Sequence, residues 1–308
     1  MSPRLFQSSG DLVADRRFEF ARDLQFKGDL AAAADLLEQA IELAPNFVSA
    51  WFTLAEIRER LGQREQAIAA FRRARDADPE DRHGAGLHLM RLGAEQLSDM
   101  PKAYVQSLFD QYAPRFEAAL LNDLGYRAPA LLFKAVLSAC SAARKAAFFG
   151  RAIDLGCGTG LAGAAFAGEV GHFTGIDLSP GMIKEARATG IYAELEVADM
   201  VAGLRARPDA SAELILAADA MVYLSDLAPV LREAKRVLAP GGLLAFTVET
   251  HEGAGVIIGA GLRYAHSTEY VRDAIARAGL DLVTLEPGSP RNENDQPVRG
   301  LVVVAEKT

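Results

Sequence analysis

The chain has 308 residues, half of them hydrophobic, and a formal net charge of -8. This length can bury a sizeable core and divides into about two domains, while the acidic balance argues against a protein that holds nucleic acid or anionic lipid mainly by phosphate electrostatics. Cys140 and Cys157 are too few for a disulfide scaffold or a four-ligand zinc site and suit a reducing compartment. No His, Asp and Glu spacing suggests a catalytic metal. The opening stretch MSPRLFQSSGDLVADRRFEF lacks the apolar core of a secretion signal, and no later run reaches the roughly 18 apolar residues a spanning helix needs. We therefore expect a cytoplasmic protein with no membrane and no nucleic-acid partner.

The first third repeats itself. Phe20 and Leu54, Ala21 and Ala55, Gly28 and Gly62, Ala33 and Ala67, Leu37 and Phe71, Ala40 and Ala74, and Pro45 and Pro79 are pairs 34 residues apart with matching character. Small residues let two helices approach closely, the glycine relaxes the turn between them, and the proline ends the second helix. The period and pattern resemble the helix-turn-helix unit of tetratricopeptide proteins. Trp51 completes the second copy, whereas Arg17 stands at the matching place in the first. A third helix over residues 82–93 leaves the register and reads as a cap. Two repeats seldom bury enough surface to stand alone, so they are expected to pack on other parts of the chain and to hold a protein partner, dock substrate or drive oligomerisation.

From residue 97 to 150 the text is helical but broken by Pro101, Pro114 and Pro129. Within it Tyr104, Leu108, Phe109, Tyr112 and Phe116 recur at helical spacing, which a core-facing stripe also explains. From Arg151 onward short β-rich runs (AIDL, HFTGID, AELEV, ELILA, LLAFTVE, LDLVTLE, GLVVVAE) alternate with helices. This pattern predicts an α/β fold with a largely parallel sheet covered on both faces and a ligand at the strands' carboxyl ends. The expected organisation is a helical-repeat module at 1–96, a helical lid or linker at 97–150 and the α/β domain at 151–308.

The first strand ends in AIDLGCGTG, with Gly156, Gly158 and Gly160 in the turn before a helix, where the backbone must bend sharply and let a ligand lie against it. Gly158, Gly160 and Gly163 also spell G-x-G-x-x-G, and Asp177 stands 19 residues past Gly158, so the glycines alone do not separate one cofactor from another. Charge separates them better. Asp154 precedes the turn, and Asp177, Asp199 and Asp219 end or follow the next three strands. A pyrophosphate would meet these carboxylates with no Lys or Arg in the turn, whereas a sulfonium and an ammonium would be welcome.

The successive stretches DLGCGTG, GIDLSPGM, VADM and APGGLLAFTVE resemble the motifs of the class I S-adenosylmethionine-dependent methyltransferases, over Arg151–Thr308. The resemblance implies a Rossmann-like seven-stranded sheet and the cofactor S-adenosyl-L-methionine. It places Gly156, Gly158 and Gly160 against the methionine moiety, Asp177 on the ribose hydroxyls, Leu178 and Met182 on the adenine face, and Asp199 with the Met200 backbone on the adenine edge. Asp154 would orient the glycine loop or the cofactor ammonium. Likewise FDQYAPRFE resembles a segment such enzymes lay over the cofactor, which implies a covering role for Tyr112 and makes Arg127 a candidate for the cofactor carboxylate. With the repeats in front, the whole is similar to a family of bacterial methyltransferases carrying N-terminal tetratricopeptide repeats.

Acceptor residues should come from the loops after the fourth and fifth strands: Asp219, Tyr223, residues 250–267, and Arg291. In RYAHS, after the glycine-rich run GAGVIIGAG, Arg263, Tyr264 and His266 form the polar cluster of an expected closing loop, with His266 as base. Arg263 and Arg291 suggest a small acidic molecule or a carrier-bound acyl group as acceptor. ADAMVYL after the fourth strand lacks the N/D-P-P-Y/F text of nucleic-acid amino methylation. Two alternatives stay open: an interaction or scaffold protein whose methyltransferase-like domain binds cofactor without turnover, and a protein methyltransferase that holds its substrate with the repeats.

Overall fold

The computed structural model describes residues 5–113, 125–293 and 295–308. The chain forms two compact units, Met1–Leu108 and Phe109–Thr308.

In the first unit, α1 (Leu12–Lys27) pairs with α2 (Leu30–Leu43), and α3 (Val48–Arg60) with α4 (Arg64–Ala77). Asp11 starts α1 by accepting the Val13 and Ala14 amides, and Gly28 closes it at φ 87°, a left-handed cap that costs glycine nothing. Phe18, Leu37, Phe47, Leu54 and Ile57 make the core of the first repeat. Phe52, Ile68 and Phe71 make that of the second, joined by Ala85 and Leu89 from α5 (Ala85–Arg91). Trp51 touches both clusters. The expected repeats are present, and α5 covers the open face of the second as a cap should. The other end is closed by the chain's own start. The Phe6 ring lies 5.4 Å from Phe18 and 6.3 Å from Phe47, and the Gln7 amide donates to Ser49 Oγ at 2.9 Å.

Helix α6 (Lys102–Tyr112) contains the division between the units. The second unit continues with α7 (Ala128–Ala142), β1 (Phe149–Leu155), α8 (Leu161–Phe166), β2 (Val170–Asp177), α9 (Pro180–Thr189), β3 (Glu194–Val197), α10 (Met200–Arg205) and β4 (Ala212–Ala217). A 3-10 turn at Met221–Tyr223, α11 (Ala228–Val237), β5 (Leu238–Glu249), β6 (Val256–Ile258), β7 (Tyr264–His266) and α12 (Thr268–Ala278) follow. The last strands are β8 (Asp281–Gly288), β9 (Asn292–Glu293), β10 (Gln296–Pro297) and β11 (Gly300–Glu306).

Seven strands run in the order β3-β2-β1-β4-β5-β11-β8, the first five parallel and β11 antiparallel to both neighbours. All seven apolar runs picked out in the sequence are these strands. Alternate residues of one strand serve opposite faces: Ile153 and Leu155 join the layer of α10, α11 and α12, while Ala152 packs with Leu132 and Val136 of α7. Because the chain reverses direction across β1 and β4, the carboxyl ends of β1, β2, β4 and β5 border one crevice.

One expectation is corrected. GAGVIIGAG and RYAHS are not a closing loop: Val256–Ile258 pairs antiparallel with Tyr264–His266, and Ala265 of β7 lies beside Glu249 of β5. Val256, Ile257 and Ile258 favour an extended chain, and the fully buried Tyr264 and His266 require their backbone groups to be paired. Among the described residues no helix is long and apolar enough to cross a membrane.

Phe71 is completely buried in the second repeat. We predict that Phe71→Ala lowers the stability of the repeat unit by about 3–5 kcal/mol. Urea unfolding followed by circular dichroism checks this; a loss under about 1 kcal/mol would mean that the shared core does not hold the repeats.

Candidate functional site

The site is built where β1 runs into its turn. Gly156, Gly158 and Gly160 sit at φ 66°, 54° and 103°, a region costly for any residue with a side chain. The Gly156 and Cys157 amides both donate to the Ile176 carbonyl, at 2.8 and 3.0 Å, which stitches the turn to β2. A Cβ on Gly156 would lie 2.6 Å from the Ala220 methyl, so the turn is also pressed against the end of β4. Asp177 finishes the stitching: its Oδ2 accepts the Gly158 amide at 2.9 Å and its Oδ1 the Ser179 amide at 2.8 Å. Burial pushes the Asp177 carboxyl above its ordinary range, and these amides partly offset that. Each oxygen can accept a second bond from a ligand hydroxyl.

Asp154, two residues before the turn, has no exposed surface. Its Oδ2 accepts the Tyr192 hydroxyl at 2.6 Å, and burial pushes its pKa up to about 7 against that bond. Among the described residues, Asp154 Oδ1 and Thr159 Oγ1 are buried polar atoms without a hydrogen-bond partner. A glycine-lined turn backed by carboxylates with unused acceptor capacity fits a ligand that brings N–H and O–H donors and positive charge, as S-adenosylmethionine does. It does not fit a pyrophosphate. Burial pushes the Cys157 thiol well above its ordinary range, which leaves it no nucleophilic character at neutral pH.

The remaining residues expected at the cofactor are placed unevenly. Leu178 is half-buried beside Asp177, whereas Met182 is wholly buried within α9. Asp199 caps α10 through the Val201 and Ala202 amides, at 3.1 and 3.0 Å, and Met200 packs partly buried against the sheet. Tyr112 is half-buried at the end of α6; Pro114 and Phe116 lie outside the described residues. Arg127 is engaged by Ser289 and Asn292. The sequence reading passed over Asp110. Its Oδ1 accepts Ser179 Oγ at 2.5 Å and the Gly181 amide at 3.1 Å, holding the end of α6 against the start of α9, while Phe109 meets the Tyr223 ring edge-on at 5.3 Å.

Toward β4 and β5 the site is an ion network. Arg291, only 1% exposed, donates to both oxygens of Asp219 at 2.6 Å and reaches Glu249 and Glu293. Arg263 pairs with Glu293 and donates Nε–H to the Tyr223 hydroxyl at 3.2 Å. Asp219 has φ 54° and is fixed further by its amide's bond to Thr247 Oγ1 at 2.8 Å. The Tyr126 hydroxyl, donated to the Ala218 carbonyl at 3.3 Å, lies in the same group. Arg263, Tyr223, Arg291 and Asp219 are thus brought together as expected, with Glu249, Glu293 and Tyr126 added from positions no local motif marks. Tyr264 and His266 stand apart from them, fully buried in β7, with His266 Nε2 2.9 Å from the Leu224 carbonyl.

Known proteins agree with this geometry. Residues 152–242 match the family described as Methyltransferase domain, and residues 27–89 the family described as Tetratricopeptide repeat. The chain is 27% identical over 173 residues to Methyltransferase-like protein 27 of Homo sapiens, covering 56% of this chain and 66% of that protein. It is 33% identical over 97 residues to the Ubiquinone biosynthesis O-methyltransferase of Xylella fastidiosa, covering 30% of this chain and 39% of that one. The chain therefore spans less than two thirds of these relatives' lengths. In fold it is similar to Burkholderia thailandensis 1,6-didemethyltoxoflavin-N1-methyltransferase, with a TM-score of 0.52 at 16% identity over 70% of this chain and 93% of that one.

Burial pushes His266 down to about 4, so the folded protein keeps it neutral while the unfolded chain titrates near 6.5. Its contribution to stability is present above about pH 6.5 and is lost as the pH falls toward 4, because only the unfolded state then gains the proton. We predict that His266→Gln flattens the acid limb of the stability profile between about pH 6.5 and 4. Urea midpoints of both proteins across that range check this; parallel profiles would show that His266 is charged in the folded state.

Proposed function

With residues 152–242 belonging to the methyltransferase-domain family and residues 27–89 to the tetratricopeptide-repeat family, we propose that this protein transfers a methyl group from S-adenosylmethionine to a small-molecule hydroxyl. The observation that carries the reading is the glycine turn hung on Asp177, with Asp154 behind it and no cation in it. When bound, the cofactor supplies a methyl carbon activated by its sulfonium. The chain's part is to hold and orient: Asp177 takes the ribose hydroxyls, the Gly156–Gly160 turn receives the methionine portion, Leu178 and Met200 border the adenine, and Asp199 stands at its edge.

On the acceptor side the reading rests on Tyr223 and Arg263 at the rim and the Asp219–Arg291–Glu249 network behind them. An acidic acceptor needs a guanidinium with spare charge. Here two arginines face the three carboxylates of Asp219, Glu249 and Glu293, a net negative rim. This favours a neutral hydroxyl over a carboxylate, in keeping with the name of the ubiquinone O-methyltransferase relative. Tyr264 and His266 support the rim from β7. Methyl transfer from a sulfonium is an in-line displacement for which positioning supplies much of the rate, so a buried, neutral His266 is no obstacle. The repeats are a natural holding surface for a protein partner.

We predict that Asp177→Ala weakens S-adenosylmethionine binding by about 1–3 kcal/mol, roughly fivefold to a hundredfold, since two hydroxyls lose their acceptor. Calorimetry checks the affinity, and release of S-adenosylhomocysteine in the presence of a mixture of phenolic and alcoholic metabolites checks the transfer. Unchanged affinity in the variant removes Asp177 from the site. Binding without release in any mixture would favour a cofactor-binding scaffold.

A further inference from the structure

Tyr192 belongs to none of the motifs above, yet three glycines are shaped around it. It stands in the segment between α9 and β3, where the neighbouring Ala193 amide is held by the Phe173 carbonyl at 2.9 Å and the two rings are 5.3 Å apart. A Cβ on Gly163 would lie 2.4 Å from the Tyr192 hydroxyl, one on Gly160 3.2 Å from its ring, and one on Gly175 3.0 Å from its ring. The third glycine of the G-x-G-x-x-G spelling is therefore explained by the passage of a phenol and not by a dinucleotide. What the phenol reaches is Asp154 Oδ2, at 2.6 Å, while the other oxygen of that wholly buried carboxylate has no partner among the described residues.

We propose that Tyr192 is a positioning residue of the cofactor site: its hydroxyl, threaded past Gly163, holds the Asp154 carboxylate as a fixed anion behind the glycine turn, where it favours the positively charged cofactor. The inference rests on the reading of the turn as the S-adenosylmethionine site. The alternative role for Tyr192 is packing alone, since its ring also fills the space beside Cys157, Ile183, Ala186 and Leu195. The two roles separate by proton chemistry. The groups facing Asp154 are Tyr192, the Gly163 amide, Asp177, Cys157 and Tyr126. The Tyr192 bond and the Gly163 amide oppose burial, whereas Asp177 adds to it, leaving Asp154 at about 7. Binding of a cation should then draw a proton off Asp154, and removal of the hydroxyl should make that proton harder to remove.

The experiment is calorimetric titration of the full chain with S-adenosylmethionine between pH 5.5 and about 8, for the unmodified protein, Tyr192→Phe and Asp154→Asn. The ring is kept in the first variant, and thermal melts confirm that each protein is folded. The unmodified protein should bind more tightly as the pH rises through about 7 and should release protons on binding, read from heats in two buffers of different ionisation enthalpy. In Tyr192→Phe the midpoint should move up by one pH unit or more, weakening binding at pH 7 by roughly fivefold, and Asp154→Asn should lose the dependence. The cofactor's own titration is common to all three proteins. Identical profiles for the unmodified protein and Tyr192→Phe would overturn the role of Tyr192, as would a binding reaction that releases no proton. No binding by the unmodified protein at any pH would instead overturn the cofactor reading itself.

Discussion

Asp177 holds the site together because it makes three separate pieces of chain agree. Its two oxygens accept the Gly158 and Ser179 amides, so the turn after β1 and the start of α9 are both fixed to the end of β2. Ser179 then caps α9 through the Met182 amide and donates its hydroxyl to Asp110, which brings the end of α6 onto the same point. Without that carboxylate, two amides in a buried place would lose their acceptor, and a loop of three left-handed glycines has little else to choose its shape.

The acceptor side follows a different rule. A guanidinium as deeply buried as Arg291 must be matched by anions, and Asp219, Glu249 and Glu293 supply them from the ends of β4 and β5 and from the next turn. Burial opposes the Arg291 charge, but Asp219 outweighs it and keeps the group firmly protonated. Such a network is rigid, because breaking one member leaves the others charged and uncompensated. It fixes the backbone at Asp219 and Ala220, and Ala220 is the residue against which Gly156 is pressed. The two halves of the site thus share a wall.

Much of this is legible in the sequence because it is local. The 34-residue spacing of Ala, Gly and Pro in the repeats, the apolar runs of all seven main strands and the glycine turn are patterns along the chain. The end of β2 at Asp177 and the cap at Asp199 follow from the same reading. What escapes is whatever depends on distant partners. Tyr192 looks like an ordinary loop aromatic until its hydroxyl is seen at Asp154, 38 residues away, and Arg291 looks like a free clamp until Asp219, 72 residues away, is found bonded to it. RYAHS misleads for a related reason. Three polar side chains in a row suggest chemistry, but two of them lie in a strand whose burial is decided by β5 and β6. The one available hint was the adjacent Val256–Ile258 run, whose β-branched residues ask for a pairing partner.

The central claim is that the glycine turn and its ring of carboxylates select a cationic nucleoside cofactor over a dinucleotide. Calorimetry of the unmodified full chain with S-adenosylmethionine and with NAD, in the same buffer at neutral pH, tests it most directly. The account predicts saturable binding of S-adenosylmethionine at one site per chain and no detectable heat from NAD. Saturable binding of NAD with none of S-adenosylmethionine would contradict it.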